Sequence, residues 1–188
     1  MKEKIILATL DLASKYGLGS LSMSQIAESV GIKKPSLYNH FSSKDELINE
    51  MYSYIREQSK GESPTQVDLS KDAEGVLSSA VDNYLRIVEN ERMLSFYKVI
   101  YSERSINPVA AQILVDETNK MVVATRMIME YLNQSGKMHI DNIDMAAMSF
   151  ALSIHALIDF RLDSEMAGEA VSPNLFKSYI YWFCEHYK

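Results

Sequence analysis

Cysteine is nearly absent from this chain of 188 residues, which carries only Cys184. A framework of intramolecular disulfides is therefore excluded, and a single thiol is typical of a protein of the reducing cytoplasm. The seven glycines are scattered, so no glycine-rich loop could cradle a phosphate. Because no uninterrupted apolar run approaches about 18 residues, we expect neither a membrane span nor a signal peptide.

The four histidines do not have the spacing of metal ligands. They are His40, His139, His155 and His186, and Cys184 beside the last of them lacks further ligands nearby. Serine pairs such as Ser78-Ser79 have no base placed to activate them. We therefore expect no metal, no cofactor and no enzymatic activity.

Charge is distributed unevenly along the chain, whose formal net charge is −6. The first 50 residues hold six lysines and six acidic residues, whereas the remainder holds 13 basic and 19 acidic residues. Three of the N-terminal lysines, Lys33, Lys34 and Lys44, lie within or just after one motif, residues 22–41. A patch of this size predicts weak non-specific DNA binding and an affinity that relies on dimerisation.

That motif, residues 22–41, has the pattern of a helix-turn-helix. Ser22 and, three residues later, Gln25 form a capping box for a helix that starts near Met23. Gly31 ends this helix, because glycine tolerates the left-handed backbone that follows a helix end. The chain can then turn sharply into a second helix.

The second helix begins at Lys33 or Lys34. Pro35 lies in its first turn, where the missing N–H costs little, and Leu37 and Phe41 bury its inner face. Polar and aromatic side chains remain on the outer face, namely Lys34, Ser36, Tyr38, Asn39 and His40. Such a set is suited to reading base edges in the major groove while lysines hold phosphates.

Several short stretches carry a family resemblance: Ile26-Ala27, Gly31-Ile32, Lys34-Pro35-Ser36-Leu37-Tyr38, His40-Phe41 and Ser43-Lys44-Asp45-Glu46-Leu47. Over about the first fifty residues the chain closely resembles TetR-type (tetracycline-repressor-like) regulators. The resemblance implies that Lys44 holds a phosphate. The full set of candidate DNA-binding residues is Ser22, Ser24, Lys33, Lys34, Pro35, Ser36, Tyr38, Asn39, His40 and Lys44. Lys33 departs from the family pattern, since many members have a Ser or Thr cap there.

The rest of the chain shows helical periodicity without strand-like alternation. We predict helices over residues 2–16, from Ser42 or Ser43 to 58, and over 72–90, 91–102, 107–133, 141–162 and 172–187, with a loop at 59–71. The fold class is therefore all-α with about nine helices. A three-helix DNA-binding head, residues 1–46, is followed by a helical-bundle domain for ligand binding and dimerisation, residues 47–188.

The last two helices are apolar nearly all round. A helix that is apolar on every side must be buried on every side, and a chain of this size cannot cover two of them, which predicts a four-helix interface between two copies. TetR-type regulators are similar here. The candidate interface residues are Ile154, Ile158, Leu175, Phe176, Tyr179, Trp182 and Phe183. A two-fold dimer favours a palindromic operator in double-stranded DNA.

A ligand pocket is predicted on the middle helices. The candidate lining residues are Tyr84, Met93, Phe96, Tyr97, Tyr101, Met121, Met127, Phe150, His155 and Asp159, which would suit a partly apolar small molecule. Methionines and aromatic residues at helical spacing are more often simply core. His155 and Asp159, four residues apart, either orient a ligand or form a pair at the dimer seam.

Two functions from different classes remain. The favoured one is a homodimeric repressor in which a ligand tilts the helix of residues 44–58 and releases a palindromic operator. The alternative is an all-helical small-molecule-binding or enzyme module whose helix-turn-helix is purely structural. An exposed set of DNA-binding side chains distinguishes the two, because a purely structural motif has no need of one.

Overall fold

The computed structural model of the chain describes residues 1–61 and 67–188. Within these residues the secondary structure is nine α-helices and one 3-10 turn without any strand, which confirms the all-α prediction. The elements are α1 (Lys2–Tyr16), the 3-10 turn (Leu18–Ser20), α2 (Met23–Val30), α3 (Lys34–Tyr38), α4 (Lys44–Gly61), α5 (Ala73–Val88), α6 (Glu91–Glu103), α7 (Pro108–Gln134), α8 (Ile143–Ala167) and α9 (Leu175–His186).

Three helix boundaries differ from the prediction by three residues or more. Helix α4 continues to Gly61, so the predicted loop of residues 59–71 is helical at its start, and its residues 62–66 lie outside the described residues. Helix α8 runs on to Ala167, because no residue before Gly168, with φ 76° and ψ 20°, breaks it. Helix α9 starts only at Leu175, since residues 172–174 form a turn instead.

The described residues pack as two compact units. The first contains α1 to α4, the last two residues of α5, α6 and α7 as far as Val115, and the second contains α5 as far as Arg86, α7 from Asp116, α8 and α9. This grouping is one of packing, and the functional division after residue 46 stays a prediction.

The core of the first unit is a single apolar cluster. Residues from α1, α2, α3, α4, α6 and the start of α7 contribute to it, among them Ile5, Ile26, Leu37, Phe41, Leu47, Met51, Ile55, Phe96 and Ile113. Tyr54 on α4 adds a hydrogen bond of 3.2 Å to Glu3 and an edge-on ring contact to Phe96. The helices of the predicted helix-turn-helix therefore share one core with α6.

The core of the second unit is rich in aromatic rings. Phe150 of α8 packs against Phe183 and Tyr179 of α9, with ring centroids 4.8 and 5.6 Å apart. Away from these rings, Lys137 and Tyr131 hold the segment before α5, since the lysine ammonium and the tyrosine hydroxyl both donate to the carbonyl of Leu69. The two contacts fix the chain where it enters α5.

Gly31 and Gly19 offer a matched test of backbone strain in the first unit. Both positions have open space where the methyl group of an alanine would lie, but only Gly31 has a positive φ, of 76°. Gly31→Ala should lower the free energy of unfolding by about 1–2 kcal/mol, because alanine is disfavoured in the left-handed region. Gly19→Ala should cause no loss. Urea unfolding of both variants measures this, and equal effects would contradict the left-handed turn.

Candidate nucleic-acid interface

The first helix of the motif begins with the predicted capping box. The Ser22 hydroxyl accepts a hydrogen bond from the Gln25 amide at 3.3 Å, and the Gln25 side chain accepts one from the Ser22 amide at 2.9 Å. Both serines of this helix start, Ser22 and Ser24, are exposed. They are therefore accessible to a phosphate, although their DNA contacts stay a prediction.

The turn between α2 and α3 is built on Gly31, as predicted. Its backbone is left-handed, and its amide donates to the Glu28 carbonyl at 3.0 Å. The next amide, of Ile32, reaches back to the Ala27 carbonyl at 3.0 Å. These bonds satisfy carbonyls that the end of α2 would otherwise leave without partners.

The second helix, α3, is only five residues long and starts at Lys34. Lys33 precedes it without a side-chain cap, as its departure from the family pattern indicates, and Pro35 occupies the first turn. Leu37 and Phe41 are 0% and 1% exposed. Burial of these two side chains therefore anchors the helix.

The outer face of α3 presents the predicted set. The exposed residues are Lys33, Lys34, Pro35, Ser36, Tyr38 and Asn39, and His40 is half-buried. The ammonium of Lys34 lies 6.0 Å from the centroid of the Tyr38 ring, whose residue is 44% exposed. This face offers amide and hydroxyl groups for base edges beside positive charge for phosphates.

Lys44 has a partner that the sequence did not reveal. Its ammonium donates to the carbonyl of Leu18, in the 3-10 turn before α2, at 3.0 Å. Of the two predicted caps of α4, the Ser43 hydroxyl accepts from the Glu46 amide at 3.0 Å. Ser42 donates to the Glu46 carboxylate through both its hydroxyl and its amide, which lowers the pKa of that carboxyl.

Three of the seven candidate interface residues are buried within the single chain, and the interface set as a whole stays a prediction. Ile154, Ile158 and Phe183 are 1–3% exposed, so each belongs to the core of its own chain and offers no surface to a second one. Leu175, Phe176 and Tyr179 are half-buried, and Trp182 is 61% exposed. Within a single chain, α8 and α9 are each covered on one side only, and not on every side.

The opposite faces of α8 and α9 are apolar and exposed. The large exposed side chains there are Met145, Met148, Leu152, Phe160, Met166, Tyr181 and Trp182. By length and composition α8 could also cross a membrane, with a mean hydropathy of 1.4 over 18 residues, of which 33% are buried. One such helix is weak support for a membrane protein, since core helices meet the same criterion.

Four of the predicted ligand-lining residues lie in the first unit. Phe96 is 2% exposed and belongs to the core, and Met93 packs against that core. Tyr97 and Tyr101 stack on each other with centroids 5.0 Å apart, and the Arg104 guanidinium covers the Tyr101 ring at 3.4 Å. These residues are thus engaged with neighbours on or beside α6.

The other candidates lie in the second unit. Phe150 is part of the aromatic core, Met121 is half-buried, and Met127 is 65% exposed and so lines no interior pocket. The His155 and Asp159 side chains, about one-fifth exposed, approach to 3.9 Å. Burial, together with the nearby carboxylates of Glu117 and Asp159, raises the pKa of Tyr84 to about 12.

The fold and the exposed face of α3 define a helix-turn-helix DNA-binding protein. Two family models match the chain: "Bacterial regulatory proteins, tetR family" over residues 5–51, and "AefR-like transcriptional repressor, C-terminal domain" over residues 75–177. The second alone spans more than half of the sequence. The chain therefore belongs to the TetR family of transcriptional regulators, which are DNA-binding proteins and not enzymes.

Solved structures agree on the fold. A transcriptional regulator from Rhodococcus sp. Rha1 is similar with a TM-score of 0.69 and 16% identity, over 100% of this chain and 95% of that one. A TetR transcription regulator from Haloarcula marismortui has a TM-score of 0.70 at 14% identity, over 99% and 97% of the two chains. The Flavonoid-responsive Regulator FrrA is similar with a TM-score of 0.63 and 20% identity, over 98% of this chain and 93% of that one. Comparison with curated protein sequences gave no match.

The environment of Tyr84 predicts a pH dependence of stability. Because the folded protein holds the Tyr84 proton to about pH 12, against an ordinary pKa of 10, the free energy of unfolding should fall as pH rises above 10. The contribution is at most about 1.4 kcal/mol per pH unit. Tyr84→Phe should flatten this fall in urea unfolding at pH 9 to 11, whereas Tyr16→Phe, at a 67% exposed position, should not. Equal curves for both variants would contradict the buried environment of the Tyr84 hydroxyl.

Proposed function

We propose that this protein is a homodimeric repressor that binds a palindromic operator in double-stranded DNA and leaves it when a small molecule binds. The observation that carries the proposal is the exposed row of polar side chains on α3, in a family whose members regulate transcription. The match of residues 75–177 to a repressor domain supports repression over activation. Action on DNA also supports a cytoplasmic location.

In the dimer, α3 of each chain lies in a major groove, with its outer face towards the bases. Ser36, Tyr38 and Asn39 supply hydroxyl and amide groups to base edges, and Lys34 supplies positive charge to the backbone. Ser22, Ser24 and Lys33 flank this face, with Pro35 in the first turn of α3 and His40 two residues after its end. Lys44 uses one of its three donors on the Leu18 carbonyl, which leaves others for a phosphate.

The second copy covers the exposed apolar faces of α8 and α9. Met148 and Leu152 are each 46% exposed and lie four residues apart on α8, and Trp182 on α9 is 61% exposed. Contiguous exposed apolar surface of this kind marks an interaction site. Two copies that pair through α8 and α9 form the four-helix interface, and their two-fold axis matches a palindrome.

The effector binds to the second unit near Tyr84, His155 and Asp159. Polar side chains are rare in this apolar interior, so they give a partly apolar ligand its orientation. Ligand binding shifts the population from dimers competent for DNA towards dimers whose heads are wrongly spaced, and α4 transmits the change.

Operator binding tests the DNA-reading face. Tyr38→Ala should weaken operator binding by about 1–3 kcal/mol per lost base contact and leave the salt dependence unchanged. Lys44→Ala should lower the slope of log K against log salt by about one unit for each chain bound, because one phosphate contact is lost. Fluorescence anisotropy with the protein's own upstream DNA measures both, with scrambled DNA of equal length as the control.

Saturation at two chains per duplex is expected for the parent protein. Circular dichroism should show that both variants remain helical. If both variants bound the operator with parental affinity, the assignment of α3 and Lys44 to the DNA surface would be wrong.

A charge on the exposed face of α8 tests the dimer. Leu152→Glu should yield monomers at micromolar concentration, because a carboxylate would be buried in an apolar interface. Ile106→Glu makes the same chemical change at a 77% exposed position outside α8 and α9, and should stay dimeric. Sedimentation velocity distinguishes the two states, and a dimeric Leu152→Glu variant would exclude this face as the interface.

A further inference from the structure

Lys4, in the first turn of α1, makes a long-range contact with the helix-turn-helix. Its ammonium donates to the carbonyl of Val30 at 3.3 Å, across 26 residues of sequence. Val30 is the last residue of α2, and Gly31 follows it directly. The contact therefore joins α1 to the turn that leads into the recognition helix.

The Val30 carbonyl is one that α2 cannot satisfy by itself. The last four carbonyls of a helix have no intrahelical partner, and the amides of Gly31 and Ile32 go to the carbonyls of Glu28 and Ala27. The Lys4 ammonium supplies the Val30 carbonyl with a hydrogen-bond donor from outside α2. A positive charge at a helix C-terminus also interacts favourably with the helix dipole.

The Lys4–Val30 contact is also held in place at both of its ends. The next residue, Ile5, is 0% exposed and belongs to the core of the first unit, as does Ala27 at 2% exposure. The backbone on both sides of the Lys4–Val30 contact is thus anchored in one core. Movement of the turn would have to break the contact or displace α1.

We propose that Lys4 is a positioning residue for DNA recognition, which fixes the α2–α3 turn and so the direction in which α3 faces the groove. This inference rests on the proposed operator binding. It differs from the expectation for an N-terminal lysine near DNA, which is a direct phosphate contact. The two roles differ in their salt dependence, because only a phosphate contact releases a counterion.

The test compares Lys4→Met with Lys15→Met in the full-length protein. Both variants remove one positive charge from α1, but Lys15 pairs with Asp11 within α1 at 2.8 Å. Hydrogen exchange of the Gly31 and Ile32 amides, followed by NMR without DNA, should be about two- to fivefold faster in Lys4→Met only. Lys4→Arg, which keeps a donor and a charge, should restore the parental rates.

Operator titrations at several salt concentrations provide the second readout. The titrations are made well below the thermal midpoint of either variant. Lys4→Met should then bind the operator about two- to fivefold more weakly than the parent, with the parental salt slope. A slope lower by about one unit per chain, with unchanged amide exchange, would make Lys4 a phosphate contact and overturn the proposal. Parental amide exchange, or an equal change in Lys15→Met, would also overturn it. If the parent bound no operator, the proposed function would fail, whereas the exchange measurement would still decide whether Lys4 fixes the α2–α3 turn.

Discussion

Burial of Leu37 and Phe41 is the interaction on which the exposed polar face of α3 depends. A helix of five residues such as α3 is not stable alone, because isolated helices below about 12 residues are marginal in water. These two side chains insert into a core built by α1, α2, α4 and α6. The outer residues of α3 can therefore be polar without any cost to the fold. Because the core holds the helix in place, these side chains are presented in a fixed arrangement.

The same core has a consequence for signalling within the first unit. Phe96 and Ile100 of α6 are buried together with residues of the DNA-binding helices, and Tyr54 joins α4 to both α1 and α6. Close-packed interiors transmit displacement because they have few voids to absorb it. Any shift of α6 therefore requires α1 and α4 to repack.

The sequence predicted the motif well because its signals are local. The capping box of Ser22, the left-handed Gly31 and the proline in α3 each act within a few residues. The buried side of α8 could not be predicted, since a helix that is apolar all round gives no rotational signal, and Ile154, a candidate interface residue, is buried within its own chain. The partners of Lys4 and Lys44 lie 26 residues away, beyond any local pattern.

The exposed face of α8 also has a chemical consequence. Met145, Met148 and Met166 are 58%, 46% and 80% exposed on that helix. Oxidation converts a methionine thioether into a polar sulfoxide, and accessible side chains react first. In a monomer these three thioethers would meet oxidants directly, whereas a second chain that covered Met148 would shield it. Damage to this helix would thus accumulate mainly in unassembled chains and would impair their later assembly.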